Sequence, residues 1–168
     1  MRLSSEEVFR VVGGTCFFIG HHDAGTELLP VLKDAIERHI TEYSVIEFCV
    51  GHYGNFDRMA ARLLTEAKVN HPEISIQLLT PYHPFERPLD VPDGFDGTFY
   101  PPGMESTPRQ YAISKANRYM IQNSTHLIAY AYHTLGGAGK LVKSARVLEK
   151  KGAIHIENLA EKIGQKAI

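Results

Sequence analysis

Short apolar runs alternate with amphipathic segments along most of this chain. Thr15–Ile19 (TCFFI) is a compact apolar run ending at Gly20, the pattern of a buried parallel strand passing into a loop. From Thr26 to Ile40, Leu28, Leu29, Leu32, Ile36 and Ile40 recur at helical spacing, with Glu27, Lys33, Asp34, Glu37 and Arg38 mostly opposite, which predicts a crossover helix. The unit repeats: Val45–Val50 (VIEFCV) ends at Gly51, and Met59, Ala60, Leu63, Leu64 and Ala67 then keep helical rhythm. A third strand is predicted over Ile74–Leu79 and a fourth over His126–Ala131. A weak stripe of Tyr111, Ile113, Met120 and Ile121 marks a helix over Pro108–Gln122, and another helix runs from the glycine-rich turn at 135–140 to Lys151, with Gly152 as its cap. Ala153–Ile156 is expected to close the sheet, and Asn158–Ala167 to form a terminal helix or tail.

Repeated strand, loop and helix units predict a Rossmann-like doubly wound α/β fold, with a mostly parallel sheet and helices on both faces. The 168 residues, 43% of them hydrophobic, suit one domain spanning the chain. Between Pro81 and Pro108 the rhythm breaks: seven of the nine prolines fall there, with Gly94, Gly97, Gly103 and several aromatics. Gly97–Tyr100 can form a short strand within it. The rest is either a lid carrying Tyr82, Phe85, Phe95, Phe99 and Tyr100 over a ligand or a structural excursion packed on the core.

Charge narrows the partners. Eighteen Lys and Arg against nineteen Asp and Glu leave a formal charge of -1, so no global field favours nucleic acid or anionic membrane, and any anion must be held locally. No apolar run approaches the roughly 20 residues that span a bilayer, and MRLSSEEVFR lacks the basic-then-apolar order of a signal peptide, so a cytoplasmic protein is expected. Cys16 and Cys49 lie inside strand-like runs, as reduced buried thiols do; a redox pair requires their strands to be neighbours.

Ligands of doubly wound sheets bind beyond the C-terminal strand ends. Four loops there carry candidate chemistry: Gly20-His21-His22-Asp23; Gly51-His52-Tyr53-Gly54-Asn55-Phe56-Asp57; Thr80-Pro81-Tyr82-His83; and Gly136-Gly137-Ala138-Gly139-Lys140. Glycines permit close backbone approach, and free amides at a following helix start suit an anion. The candidate ligand-binding residues are therefore Gly20, His21, Gly51, Gly54, Thr80, Asn117, Gly136, Gly137, Gly139 and Lys140. The fourth loop is neither a P-loop, which needs different spacing and a Ser or Thr after the lysine, nor GxGxxG. His21, His22, Asp23, His52 and His83 can be imagined around a metal, but no HxxxH or CxxC spacing supports one, and neither a metal nor a cofactor is expected. Asp57 is the best catalytic candidate, as the carboxylate of a loop leading into a helix; a helix-start charge favoured by the dipole is the alternative.

The order of these motifs, from Phe18-Ile19-Gly20-His21 through Gly51–Asp57 and Asn117-Arg118-Tyr119-Met120 to Leu127-Ile128-Ala129 and Gly136-Gly137-Ala138-Gly139, resembles the SLOG superfamily, nearest to its YpsA-like branch. The resemblance runs from about residue 15 to 156. It implies a Rossmann-like protein that binds nucleotides or nucleotide-derived ligands, with the Lonely guy phosphoribohydrolases and DprA as relatives. Lonely guy enzymes carry Pro-Gly-Gly-x-Gly-Thr-x-x-Glu; here Leu135 replaces the proline, Lys140 the threonine and Lys143 the catalytic glutamate. Their Arg-Lys pair is replaced by Ala116 and Asn117. The expectation is binding of a phosphate-containing small molecule, with hydrolysis of a nucleotide N-glycosidic bond as the alternative. Single-stranded nucleic-acid binding through Lys140, Lys143, Arg146, Lys150 and Lys151 is disfavoured by the overall charge, and a homo-oligomer is left open.

Overall fold

The computed structural model describes residues 13–168; the reading of the N-terminal MRLSSEEVFR lies outside them. Six strands, β1 (Gly14–Gly20), β2 (Val45–Val50), β3 (Ser75–Leu79), β4 (Gly97–Phe99), β5 (His126–Tyr130) and β6 (His155–Asn158), form one sheet in the order β4-β3-β2-β1-β5-β6. Every adjacent pair is parallel. The fold is therefore the Rossmann-like α/β arrangement that the alternation of apolar runs predicts, and wholly rather than mostly parallel among the described strands.

Among the described residues four α-helices follow the strands: α1 (Leu29–Thr41), α2 (Asn55–Asn70), α3 (Arg109–Asn123) and α4 (Gly137–Lys150). Residues alternate across the sheet, so β1 sends Cys16 and Phe18 into the layer of α1 and α2 and Phe17 and Ile19 into the layer of α3 and α4. The same alternation separates the cysteines. Although β1 and β2 are neighbours, Cys16 belongs to the first layer and Cys49 to the second, so the sheet itself stands between the two thiols and a redox pair is excluded.

The chain departs from its periodicity in three places. Tyr111 of α3 is 58% exposed; Met120 and Ile121 are buried as the stripe predicts, joined by Ala112 and Ala116, small residues that a hydrophobicity count underrates. At the sheet edge, β6 starts two residues later than Ala153. A Schellman turn intervenes: Gly152 (φ +72°) donates to the Glu149 carbonyl and Ala153 to that of Leu148. The buried Asn158 prolongs β6 by pairing its side-chain amide with both backbone groups of Ala131, then caps a 3₁₀ turn over Leu159–Ile163 by accepting from Ala160. Finally, an irregular segment runs from Pro81 to Pro108 with β4 inside it, in which Tyr82, Phe99 and Tyr100 pack partly against the α3 and α4 layer and Phe95 against the other. Phe85 alone among these aromatics stands out, at 93% exposure. The others anchor the ends of the segment on the core, while residues 84–94 between them are exposed.

At the opposite end of the sheet, His39 of α1 is fully buried with Nδ1 against the Ala35 carbonyl and Nε2 without a partner. Tyr43, His126 and His155 surround it, with ring centroids 5.0, 5.3 and 6.2 Å away. Beside it, Arg38 pairs with Glu157. Burial holds both His39 and His126 at about 4, below the ordinary histidine value. The unfolded chain takes up these protons near pH 6.5 while the folded chain resists them, so stability is complete above about pH 6.5 and lost as pH falls toward 4. For His39 alone the loss approaches about 3 kcal/mol at the acid end. Urea unfolding at pH 7 and pH 5 is expected to show a clear drop in stability over this interval; an unchanged free energy would contradict the neutral state of His39 and His126 in the folded protein.

Candidate functional site

The chain winds outward from β1 in one direction through β2, β3 and β4, then returns across the sheet to place β5 on the other side of β1. The loops leaving β1 and β5 consequently diverge, the first toward α1 and the second toward α4, and open a crevice at the strand ends. A cleft of about 380 Å³ lies there.

Seven of the residues singled out from the sequence line this cleft: Gly20, His21, Gly51, Asp57, Asn117, Gly136 and Gly137. Gly54, Thr80, Gly139 and Lys140 do not. Thr80 is buried and bonds the Phe99 carbonyl through both its amide and its hydroxyl, fastening β3 to β4. Gly54 begins α2 where a Cβ would lie 2.8 Å from the Cα of His22, a closeness that lets Asn55 donate to the His22 carbonyl and join the first two loops. Lys140 is exposed on α4 beyond the cleft. The basic stripe is incomplete as well, because Arg146 is engaged by the Ile168 carbonyl and the Glu149 carboxylate.

The glycines do different work. Gly20 clears space for the Phe56 ring, whose Cγ would stand 2.2 Å from an added Cβ, so α2 seats tightly on β1. Gly136 has φ +83° and turns the chain into α4, while neither it nor Gly137 has any neighbour within 4 Å of an added Cβ. Gly139 faces inward: its Cβ would meet the His133 carbonyl oxygen at 2.1 Å. Of the three glycines, the first two present open backbone to the cleft and the third fits the helix against its own preceding loop. Among the described residues no side chain caps α4 or α2, so the first amides of both helices lack a side-chain acceptor there.

His21 is buried at 4% exposure and accepts a hydrogen bond at Nε2 from the Tyr132 amide, which places its own proton on Nδ1. Its ring stacks on His133 at 3.8 Å and meets Tyr132 edge-on. Burial, with His133 alongside, lowers its pKa. It is a neutral tie between the β1 and β5 loops rather than a cation. Asp57, in the first turn of α2, accepts the Tyr53 amide at Oδ2, and burial pushes its carboxyl up to about 6. Gly51 makes that position possible, since a Cβ there would lie 2.9 Å from Oδ2.

Tyr53, Ile113, His133 and Leu135 complete the walls. The sequence gives His133 no candidate role and Leu135 none beyond its place opposite the Lonely guy proline; the apolar Leu135 directly before the glycine turn is the signal available in the sequence. His21, His22 and Asp23 reach the cleft, whereas His83 stacks on Phe85 in the proline-rich excursion. Among the described residues no three His, Cys, Asp or Glu side chains converge to hold a metal ion, and no helix is long and apolar enough to cross a membrane.

Fold and cleft together define a doubly wound α/β protein with a crevice at its switch point. Comparison of the chain with protein-family models and with curated proteins finds no match.

The glycine assignment is checked by two single substitutions. Gly137→Ala is expected to leave the melting temperature unchanged or raised, because alanine favours the helix by up to about 1 kcal/mol and meets nothing. Gly139→Ala is expected to destabilise by about 2 kcal/mol or more through its backbone clash. Equal melting temperatures for the two variants would contradict the inward and outward placement.

Proposed function

We propose that this protein binds a phosphate-containing, nucleotide-derived small molecule in the switch-point cleft. One observation carries the reading: α4 begins at Gly136 and Gly137 with open backbone and no side-chain cap, facing a cleft between the two diverging loops. The aligned peptides of α4 concentrate roughly half a positive charge at that end, and its first amides are donors without intrahelical acceptors. The 14-residue length of α4 makes this more than a local turn effect. The SLOG-like order of motifs supports a nucleotide-derived ligand over other anions.

Asp57 favours a second reading. A half-buried carboxyl held near 6 exchanges protons at physiological pH, as a general acid or base requires. In that reading Asp57 activates water against the anomeric carbon of a nucleotide or protonates the departing base. Lys143, at the place of the Lonely guy glutamate, is exposed and cannot fill that role.

A panel of mononucleotides, NAD and ADP-ribose tests both readings through thermal shift and analysis of each mixture for released base. A saturable shift with intact ligand, abolished in a stably folded Gly137→Asp variant, is the expected result. Base release that disappears in Asp57→Asn would instead establish the hydrolase. No shift and no release across the panel would overturn the nucleotide site.

A further inference from the structure

The electrostatics of the cleft do not match those of a simple anion receptor. Among the described residues its lining includes two carboxylates, Asp23 and Asp57, and no lysine or arginine. The buried His21 does not reverse this, because burial and the His133 ring stacked on it lower its pKa. The α4 amides favour negative charge, and they share the cleft with the Asp57 carboxylate.

Asp57 is also built to meet a ligand. Asp57 lines the cleft, and while its Oδ2 accepts from the Tyr53 amide, its Oδ1 has no hydrogen-bond partner among the described residues. Gly51 beneath it and the first turn of α2 fix its position at the end of β2. A free carboxylate oxygen beside an anion cradle repels an unsubstituted anion and attracts a hydroxyl donor.

Resting on the anion-binding reading above, we infer that Asp57 determines specificity by accepting a hydrogen bond from a sugar hydroxyl of the ligand, so that the cleft takes a sugar phosphate or nucleotide in preference to a bare anion. The anion sits at Gly136 and Gly137, and the sugar lies between it and Oδ1. Charged or titratable groups facing Asp57 are Asp23, His21, His22 and His133 within the cleft, Tyr53 on its own loop and the buried Cys49 of β2 beneath. None of them is a fixed cation that could neutralise the carboxylate in place of a hydroxyl donor.

The test uses the full chain and four probes at pH 7.5: sulfate, AMP, 2′-deoxy-AMP and 3′-deoxy-AMP, followed through the amide signals of Gly136, Gly137 and Ala138. One deoxy analogue is expected to bind at least tenfold more weakly than AMP. In Asp57→Ala, AMP is expected to weaken at least tenfold while sulfate binds as well or more tightly, opposite changes that a merely structural residue does not produce. If Asp57→Ala fails to fold, Asp57→Asn serves, with the same opposition of signs. Shifts from sulfate and AMP with both deoxy analogues matching AMP, or sulfate binding without AMP binding, would overturn the role of Asp57 and leave the anion cradle standing. No shift from any probe would overturn both.

Discussion

The return of the chain across β1 is the constraint on which the functional architecture depends. Right-handed crossovers oblige the helix after β1 and the helix after β5 to lie on opposite faces of the sheet. Their leading loops must then part, and the backbone at the parting has no neighbouring strand end to cover it. The cleft is thus a product of topology before any side chain is chosen. What the sequence adds is restraint: His21 bonds Tyr132 across the gap, and the stacked His21 and His133 rings hold the two loops at a fixed separation.

Within that frame, close packing and ligand access make competing demands on the same residue type. Gly20 and Gly139 bring helices against backbone or aromatic surface, whereas Gly136 and Gly137 leave backbone uncovered. Asp57 joins both demands. It secures the second loop through Tyr53 and leaves Oδ1 without a hydrogen-bond partner among the described residues, at the cost of a carboxyl that burial makes harder to ionise.

Much of the fold is legible from periodicity, because strands buried on both faces read as apolar runs and the crossover helices show amphipathic stripes. Val45–Val50 is delimited to the residue. Edges are harder. The late start of β6 depends on a Schellman turn at Gly152 and on the buried Asn158 amide, neither of which has a hydrophobic signature. For the cleft, the loops at the strand ends are legible, but the orientation of individual groups is not. Gly137 and Gly139 are equivalent in a motif, yet the position of the His133 carbonyl distinguishes them. Lys140 suggests a phosphate contact in sequence; one further step around α4 carries it out to solvent.

The division of the two cysteines between the layers has an experimental consequence. Burial raises the thiol of Cys16 well above its ordinary range and that of Cys49 to about 12, so both are protonated and shielded in the folded protein. Each hydrophobic layer therefore carries its own silent chemical reporter. An alkylating reagent would record the opening of the α1 and α2 layer at Cys16 and of the α3 and α4 layer at Cys49, and mass mapping of the two adducts would reveal whether the sheet loses both coverings in one cooperative event or sheds them separately.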